Sequence, residues 1–555
     1  MLAGLMMDRP LLTTGLLRHA ALNYGDQEIT SRFAVEGSHR YSWRDAWHRA
    51  AQLAHALDML GVKPGDRVGT LAWNDHRHLE LYYGLPGIGA VCHTINPRLF
   101  PDQITYIINH AEDRFLFIDP MFLPLVEKLW PALSQVEGVI VMTRPDLMPA
   151  SSSIPNLLCY ETLIADRPDT YDWPELDENT ACGLCYTSGT TGNPKGVLYS
   201  HRSSVLHAYG VLTAPGLDVR AASTILVVVP LFHANAWGYP YAAAIVGAKM
   251  VLPGPRLDGK SVYELMEQEQ VTISSGVPTV WLGLLAHLRS TGVRFSSLKS
   301  VTVGGSALPR AMLEEFELTH GVACVQGWGM TELSPVGSVG ALSQAEARLP
   351  IEQQHDAKMR AGRPLYGVEM RVIGPDGRDQ PRDGTSYGEL VVRGPWITRG
   401  YYRDEKANEG AFTPDGWFKT GDVAVISADG AMSIVDRAKD VIKSGGEWIS
   451  SIDLENAAMG HPSVQEAAVI GVPHPRWVER PLLVIVPRAG HTPDKDGLMR
   501  HLEGEVAKWW LPDDIVFVSE LPHTATGKLL KTELRKRFLN HPLPTAGAGA
   551  GAAAE

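Results

Sequence analysis

An apolar run, Ala181-Cys182-Gly183-Leu184-Cys185, leads into Tyr186-Thr187-Ser188-Gly189-Thr190-Thr191-Gly192-Asn193-Pro194-Lys195-Gly196. The run reads as a buried strand. The segment after it combines glycine, aliphatic hydroxyls and a lysine. Glycine lets a backbone turn tightly and present its N–H groups. The hydroxyls add donors and the lysine a positive charge, a mixture suited to a polyphosphate. In the Walker loop, Lys follows Gly and precedes Ser or Thr at the start of a helix. Here Pro194 precedes Lys195 and Gly196 follows it. The segment therefore reads as a mobile flap, not a helix-capped cradle.

Strands and helices alternate on both sides of this loop. Residues 46–60 carry helical apolar spacing, with Gly61 as the stop. Strands are expected over 67–73, 115–118 and 139–142, and a helix over 78–85. Residues 151–178 are rich in Ser, Pro and Asp and read as a long connection. Beyond the loop, strands are expected over 224–229, 249–252, 271–274 and 300–303. Helices are expected over 236–246, 261–268, 278–288 and 309–320. Alternation of this kind implies parallel sheets covered on both faces. From Glu369 onward, short strands with Gly and Asp turns imply a small β-rich unit.

The character changes again near Lys439, where strands over 467–472 and 482–486 mix with helices over 452–459 and 528–538. A chain of 555 residues is also too long for one core. The expected fold class is α/β. A large N-terminal domain, 1–437, holds two doubly wound units and the β-rich unit; a small mobile α+β domain spans 438–543. The Ala- and Gly-rich end, 544–555, reads as a disordered tail.

A net charge of -12 argues against a nucleic-acid partner, which would want a basic face. Five cysteines in this length are not a disulfide framework. Cys182 and Cys185 form a CxxC with no second pair and lie in the apolar run, so packing is expected there, not zinc or redox chemistry. No run reaches the ~18 apolar residues of a membrane span. Residues 1–10 lack the basic-then-apolar pattern of a signal peptide. A cytoplasmic setting is expected.

Further motifs follow in order. Phe232-His233-Ala234-Asn235-Ala236-Trp237 comes after a strand, and Gly304-Gly305-Ser306 ends another, where open α/β sheets bind ligands. In Gln326-Gly327-Trp328-Gly329-Met330-Thr331-Glu332, glycines around an aromatic let a flat ring lie close to backbone. Glu332 is a hard oxygen donor suited to Mg²⁺. Thr420-Gly421-Asp422 offers a carboxylate that could take two hydrogen bonds from a ribose diol. Asp436-Arg437-Ala438-Lys439 and Lys443-Ser444-Gly445-Gly446-Glu447-Trp448 fall at the composition break, where a hinge would lie. Pro522-His523-Thr524-Ala525-Thr526-Gly527-Lys528 precedes an amphipathic helix.

In order and spacing these motifs resemble the adenylate-forming superfamily of acyl-CoA synthetases, luciferases and peptide-synthetase adenylation domains, over 43–538. The wording at 232–237, 251–258 and 443–451 is similar to the medium- and long-chain fatty acyl-CoA synthetases. Trp328 stands where the family usually has Tyr, which keeps a stacking ring but forfeits a phenol hydrogen bond. Asp436 replaces a common Gly, as in fatty-acid members.

The resemblance implies an ATP-dependent carboxylic acid–CoA ligase that forms an acyl-adenylate and then a thioester, releasing AMP and pyrophosphate. The implied acid is a medium- to long-chain fatty acid; the alternative is a short or sulfur-containing acid of methylmercaptopropionate type. Small residues at Ala242, Ala243, Ala244 and Gly247 permit a deep acyl tunnel. By resemblance, Thr187, Ser188, Gly189, Thr190, Thr191, Gly192 and Lys195 hold the phosphates, and Thr187 and Glu332 hold Mg²⁺. Gly305, Gln326, Gly327, Trp328 and Thr331 serve the adenine side. Asp422 takes the ribose, with Arg437 nearby. His233 sits by the acyl carboxylate and Trp237 gates the tunnel. Lys528 serves adenylation, Lys439 is the hinge, and Lys443, Gly445, Gly446 and Trp448 meet CoA. A homodimer through 1–17 is also implied. An enzyme loading a carrier protein in trans would use the same motifs, as would a luciferase. A non-catalytic nucleotide sensor should have lost Glu332 or Lys528, and both are present.

Overall fold

The computed structural model describes residues 1–187, 193–444, 447–491, 494–523 and 529–544, and among these the strands form four sheets. The first runs Leu157–Cys159, Gly138–Val141, Asp113–Ile118, Arg67–Leu71, Val91–Thr94, Ala181–Tyr186, Gly196–Ser200. All its pairs are parallel except the last. Ala181–Tyr186 is buried from its second residue onward, as a strand covered on both faces must be. Tyr186 pairs antiparallel with Gly196, so the chain leaves and re-enters the sheet as a hairpin. The next helix, His201–Thr213, follows the return strand rather than Lys195.

The second sheet runs Arg363–Pro364, Val336–Val339, Ala323–Gly329, Ser300–Gly304, Ile273–Gly276, Thr224–Leu226, Lys249–Leu252, Glu28–Arg32, Ser38–Ser42. Its centre is parallel. Its far edge comes from the chain's beginning: Ile29 pairs with Met250 and Ser31 with Leu252. One apolar core consequently extends from Leu16 to Met432. The third sheet is an antiparallel meander of Glu369–Ile373, Gly388–Arg393, Phe418–Ile426 and Met432–Arg437. The fourth, built around Val464–His474 and Val478–Pro487, has apolar clusters drawn only from Ile442 to Leu543. The molecule is thus a large N-terminal domain of sheets and helices and a smaller C-terminal domain. Among the described residues no helix is long and apolar enough to cross a membrane.

Several expectations need correction. The 151–178 connection carries a strand, Leu157–Cys159, which lengthens the first sheet, and a helix, Tyr160–Ile164. The helix expected over 309–320 is Arg310–Glu314 followed by a π-helical turn, Glu315–Thr319. The helix expected over 236–246 starts only at Tyr239. Ala242, Ala243 and Ala244, small enough to permit a tunnel, serve packing. They are fully buried, in a helix that packs against Thr13–Asn23. Gly247 ends that helix at φ +66°, and a Cβ there would lie 2.0 Å from Cγ of Tyr24. Gly247→Ala combines a left-handed backbone with overpacking. It is expected to cost ~1–3 kcal/mol and to lower the thermal midpoint, read by circular dichroism.

Candidate functional site

A cavity of about 790 Å³ opens at the C-terminal ends of the parallel strands and is lined by both domains. Three parts of the large domain meet there. The first is the neck of the hairpin. Thr187 donates its backbone N–H to the Lys195 carbonyl at 2.9 Å, and the Lys195 N–H donates to Thr187 Oγ1 at 3.3 Å. The second is the pair of strand ends at Gly304 and Gly327, which are register partners. Gly305 follows at φ +79°, and the buried Gln326 accepts the Leu308 N–H. The third is the meander strand that carries Asp422.

Asp422 is buried. Its Oδ1 pairs with Arg437 Nε at 2.8 Å, across a strand register that sets the two residues opposite each other. Its Oδ2 accepts the indole N–H of Trp328 at 2.9 Å. Replacing a phenol by an indole therefore does not leave this position without a donor. A buried carboxylate without such partners would cost several kcal/mol.

Glu332 lies in the turn Thr331–Leu333, which Tyr199 pins by donating its O–H to the Thr331 carbonyl at 2.7 Å. The Glu332 side chain accepts the O–H of Tyr401 on Oε1 at 2.8 Å. The face of the same Tyr401 ring carries the Lys195 ammonium, 4.7 Å from its centroid. Burial, and then the Glu332 charge, push the Tyr401 phenol well above its ordinary pKa. No spacing or motif in the sequence singled out Tyr401.

Among the described residues no group of three or more His, Cys, Asp or Glu side chains could hold a metal. The Glu332 carboxylate and the Thr187 hydroxyl are among the oxygen donors that line the cavity. That donor set fits Mg²⁺, which is commonly held by one or two carboxylates together with substrate phosphates.

His233 and Trp237 line the cavity. Ala234, Asn235, Ala236 and Trp237 take φ of +44°, +56°, +47° and +56°, a left-handed turn that costs ~1–2 kcal/mol per residue for L-amino acids. The Trp237 ring lies over Gly304, where a Cβ would stand 2.8 Å from Cη2. Beyond it the lining reaches Tyr239 and Ser275, whose hydroxyls hydrogen-bond at 2.5 Å.

Lys439 is exposed at the surface, and partial desolvation lowers its pKa. The chain on its two sides is stitched together. Asp436 Oδ2 accepts the N–H of Ser451 at 2.8 Å, and Ser450 donates its O–H to the Val435 carbonyl at 2.7 Å. From the small domain, His523 and Leu529 line the cavity. Lys443 is exposed, on a strand that pairs with Glu447–Ile449. Ser188, Gly189, Thr190, Thr191, Gly192, Gly445, Gly446 and Lys528 lie outside the described residues, as do the side chain of Trp448 and the tail from 545. Cys182 and Cys185 are free and buried, and burial pushes their thiols up to about 12 and about 11, in keeping with packing.

The AMP-binding enzyme family matches residues 17–402, and the AMP-binding enzyme C-terminal domain matches 453–528. The chain belongs to the AMP-binding enzyme family. It is 50% identical to a 3-methylmercaptopropionyl-CoA ligase of Ruegeria pomeroyi, over 96% of this chain and 98% of the relative. It is 47% identical to a medium-chain-fatty-acid–CoA ligase of Ectopseudomonas oleovorans, over 96% and 97%. It is 48% identical to a long-chain-fatty-acid–CoA ligase of Thermus thermophilus, over 97% of each. The crystal structure of an anthranilate CoA ligase in complex with anthranoyl-AMP superposes with a TM-score of 0.85 at 25% identity, covering 96% of this chain and 98% of that one.

Trp328→Phe keeps a ring on the cavity wall and removes only the donor to Asp422. Hydrogen bonds to charged groups contribute ~1.5–3 kcal/mol, so AMP affinity measured by calorimetry is expected to fall by at least about tenfold. The melting temperature should fall as well, because a buried carboxylate oxygen loses its donor; unaltered AMP affinity would show that the indole does not orient Asp422.

Proposed function

We propose that the chain is an ATP-dependent carboxylic acid–CoA ligase. The observation that carries this reading is the convergence on one cavity of Thr187 and Lys195, Glu332, and the Asp422–Arg437 pair, with His523 and Leu529 facing them from the small domain. A free carboxylate is a poor electrophile. Its attack on the α-phosphate of ATP forms an acyl-adenylate and expels pyrophosphate. The CoA thiol then attacks the acyl carbon, giving the thioester and AMP. The first step gathers negative charge on phosphate oxygens, so fixed cations and donors lower its barrier most.

In this reading the hairpin connection from Thr187 to Lys195 cradles the triphosphate. Mg²⁺, held by Thr187, Glu332 and phosphate oxygens, would neutralise charge there. Gly305, Gln326, Gly327, Trp328 and Thr331 serve the adenine, Asp422 takes the ribose hydroxyls beside Arg437, and His233 stands by the acyl carboxylate with Trp237 as gate. The domain boundary lies at 437/438, and the small domain turns about Lys439. Lys528 serves adenylation; rotation then presents Lys443, Gly445, Gly446 and Trp448 to CoA. The placement of His523 and Leu529 on the cavity, with Lys443 exposed, supports an adenylation-ready arrangement. Lys528→Ala should slow adenylation by ~10²–10³, as for loss of one transition-state donor, yet spare thioester formation from supplied acyl-adenylate. Equal loss of both half-reactions would contradict the rotation.

Two observations favour the short end of the acid range. The cavity lining reaches Tyr239 and Ser275, and the alanines behind them are packed into the core. The Ruegeria relative is named for a short thioether acid. We therefore propose a short- to medium-chain aliphatic or thioether acid. In a carboxylate panel scored by CoA-dependent AMP release, kcat/KM should fall at least ~10-fold from medium to long chains. A flat or rising profile would instead assign the long-chain acid. ATP and CoA as co-substrates fit a cytoplasmic setting. The exposed Met1, Leu2, Leu5, Met6 and Met7 support pairing with a second copy, which a monomer mass by light scattering would refute.

A further inference from the structure

The turn 234–237 keeps four successive L-residues in the left-handed region, and such backbone persists only where its surroundings over-determine it. Its hold comes from side chains next to the first sheet. Asn74, 2% exposed, lies between the strand Arg67–Leu71 and the helix His76–Gly87. Its Nδ2 donates to the carbonyls of Val227 at 2.7 Å and Val229 at 2.9 Å, and its Oδ1 accepts the Leu231 N–H at 2.6 Å. Two carbonyls and one N–H admit only one orientation of the amide, and both its donors are used. Beyond the strand Thr224–Leu226 the backbone at Val227, Val229 and Leu231 is buried, so its polar groups need partners. The Asn74 carbonyl is itself tied, accepting the Gly254 N–H at 3.1 Å.

The helix His76–Gly87 grips the chain on either side of the turn. Tyr82 donates its O–H to the Leu231 carbonyl, and Tyr83 donates its own to the Pro240 carbonyl at 2.8 Å. Adjacent helix positions face ~100° apart, so two successive phenols can reach two separate points. Leu231 is thereby fixed at both its N–H and its carbonyl. Between the two grips lie His233 and Trp237, which line the cavity.

We propose that Asn74 and Tyr82 are positioning residues for the acyl side of the site: they fix the backbone that leads into the left-handed turn and so hold His233 and Trp237 on the cavity wall. Tyr83 sets the far end. With the leading backbone freed, the turn can relax toward right-handed torsions, and the Trp237 ring leaves Gly304. That this wall serves the acid rests on the ligase reading proposed above; the placement of Trp237 does not.

The test uses the full chain labelled with 5-fluorotryptophan, with the Trp237 and Trp328 fluorine resonances assigned by Trp237→Phe and Trp328→Phe. Asn74→Ala should move the Trp237 resonance by more than its linewidth and leave that of Trp328 in place. In the carboxylate panel, its kcat/KM for the acid should fall by ~10–10²-fold, as misplacement of a site wall does. ATP affinity, titrated without acid, should stay at the wild-type value. Tyr82→Phe keeps the ring, loses one hydrogen bond and should shift the same quantities by less. Tyr160→Phe is the control: this equally buried phenol donates to Glu80 and should lower the melting temperature without moving the Trp237 resonance. An unmoved Trp237 resonance in Asn74→Ala and Tyr82→Phe would overturn the proposal. So would an equal shift in Tyr160→Phe, or a shifted resonance with wild-type kcat/KM for the acid. If Asn74→Ala does not fold, the near-isosteric Tyr82→Phe decides alone. Should no acid turn over in the wild type, the ligase reading fails by that result, and the fluorine signal still upholds or overturns the placement.

Discussion

Two carboxylates, Glu332 and Asp422, sit buried where parallel strands end, and the surrounding architecture depends on how they are partnered. Removing a charge from water is costly unless hydrogen bonds replace the lost hydration. Asp422 is answered by a cross-strand arginine and an indole; Glu332 by a phenol. The donors come from separate parts of the chain: the second sheet, the third sheet and the loop between third-sheet strands. The site therefore exists only when those parts are docked, which is one reason a single apolar core joins them from Leu16 to Met432.

Most of the framework was legible from residue patterns. Fully buried parallel strands appear as unbroken apolar runs, and Ala181–Tyr186 is one. Pro194 and Gly196 around Lys195 pointed away from a helix-capped loop, and the chain returns there as a hairpin. The composition break near Lys439 coincides with the start of apolar clusters that draw on nothing before Ile442. What escaped was carried by long-range contact. Tyr401 is one aromatic in a polar loop, with no periodicity to mark it. The Trp328 indole was read as a flat surface, because its donor finds its acceptor 94 residues away. The alanines of Tyr239–Val246 permit a tunnel on size alone, whereas close helix packing uses the same small residues.

The joint between the domains is not a bare swivel. The ties that cross it are the Ser450 and Ser451 bonds to Val435 and Asp436, while Arg535–Asp440, Lys531–Glu455 and Lys531–Ser451 brace the small domain internally. Two hydrogen bonds thus tie the start of the small domain to the third sheet, and in the proposed rotation a ligand would bias the equilibrium only by its differential affinity for the two orientations.

The far edge of the second sheet carries a consequence for how the molecule is made. Glu28–Arg32 emerges early from the ribosome, but its partner, Lys249–Leu252, lies about 220 residues later in the chain. Ser38–Ser42 can pair with one edge of the strand at once, but at ~5–20 residues per second its other edge waits roughly 10–40 s for a neighbour. During that interval the backbone donors and acceptors of this one edge face water or other chains. The nascent first sheet cannot shelter them, because the strand belongs to the second. Synthesis rate thus bears on the yield of folded protein through that one open edge.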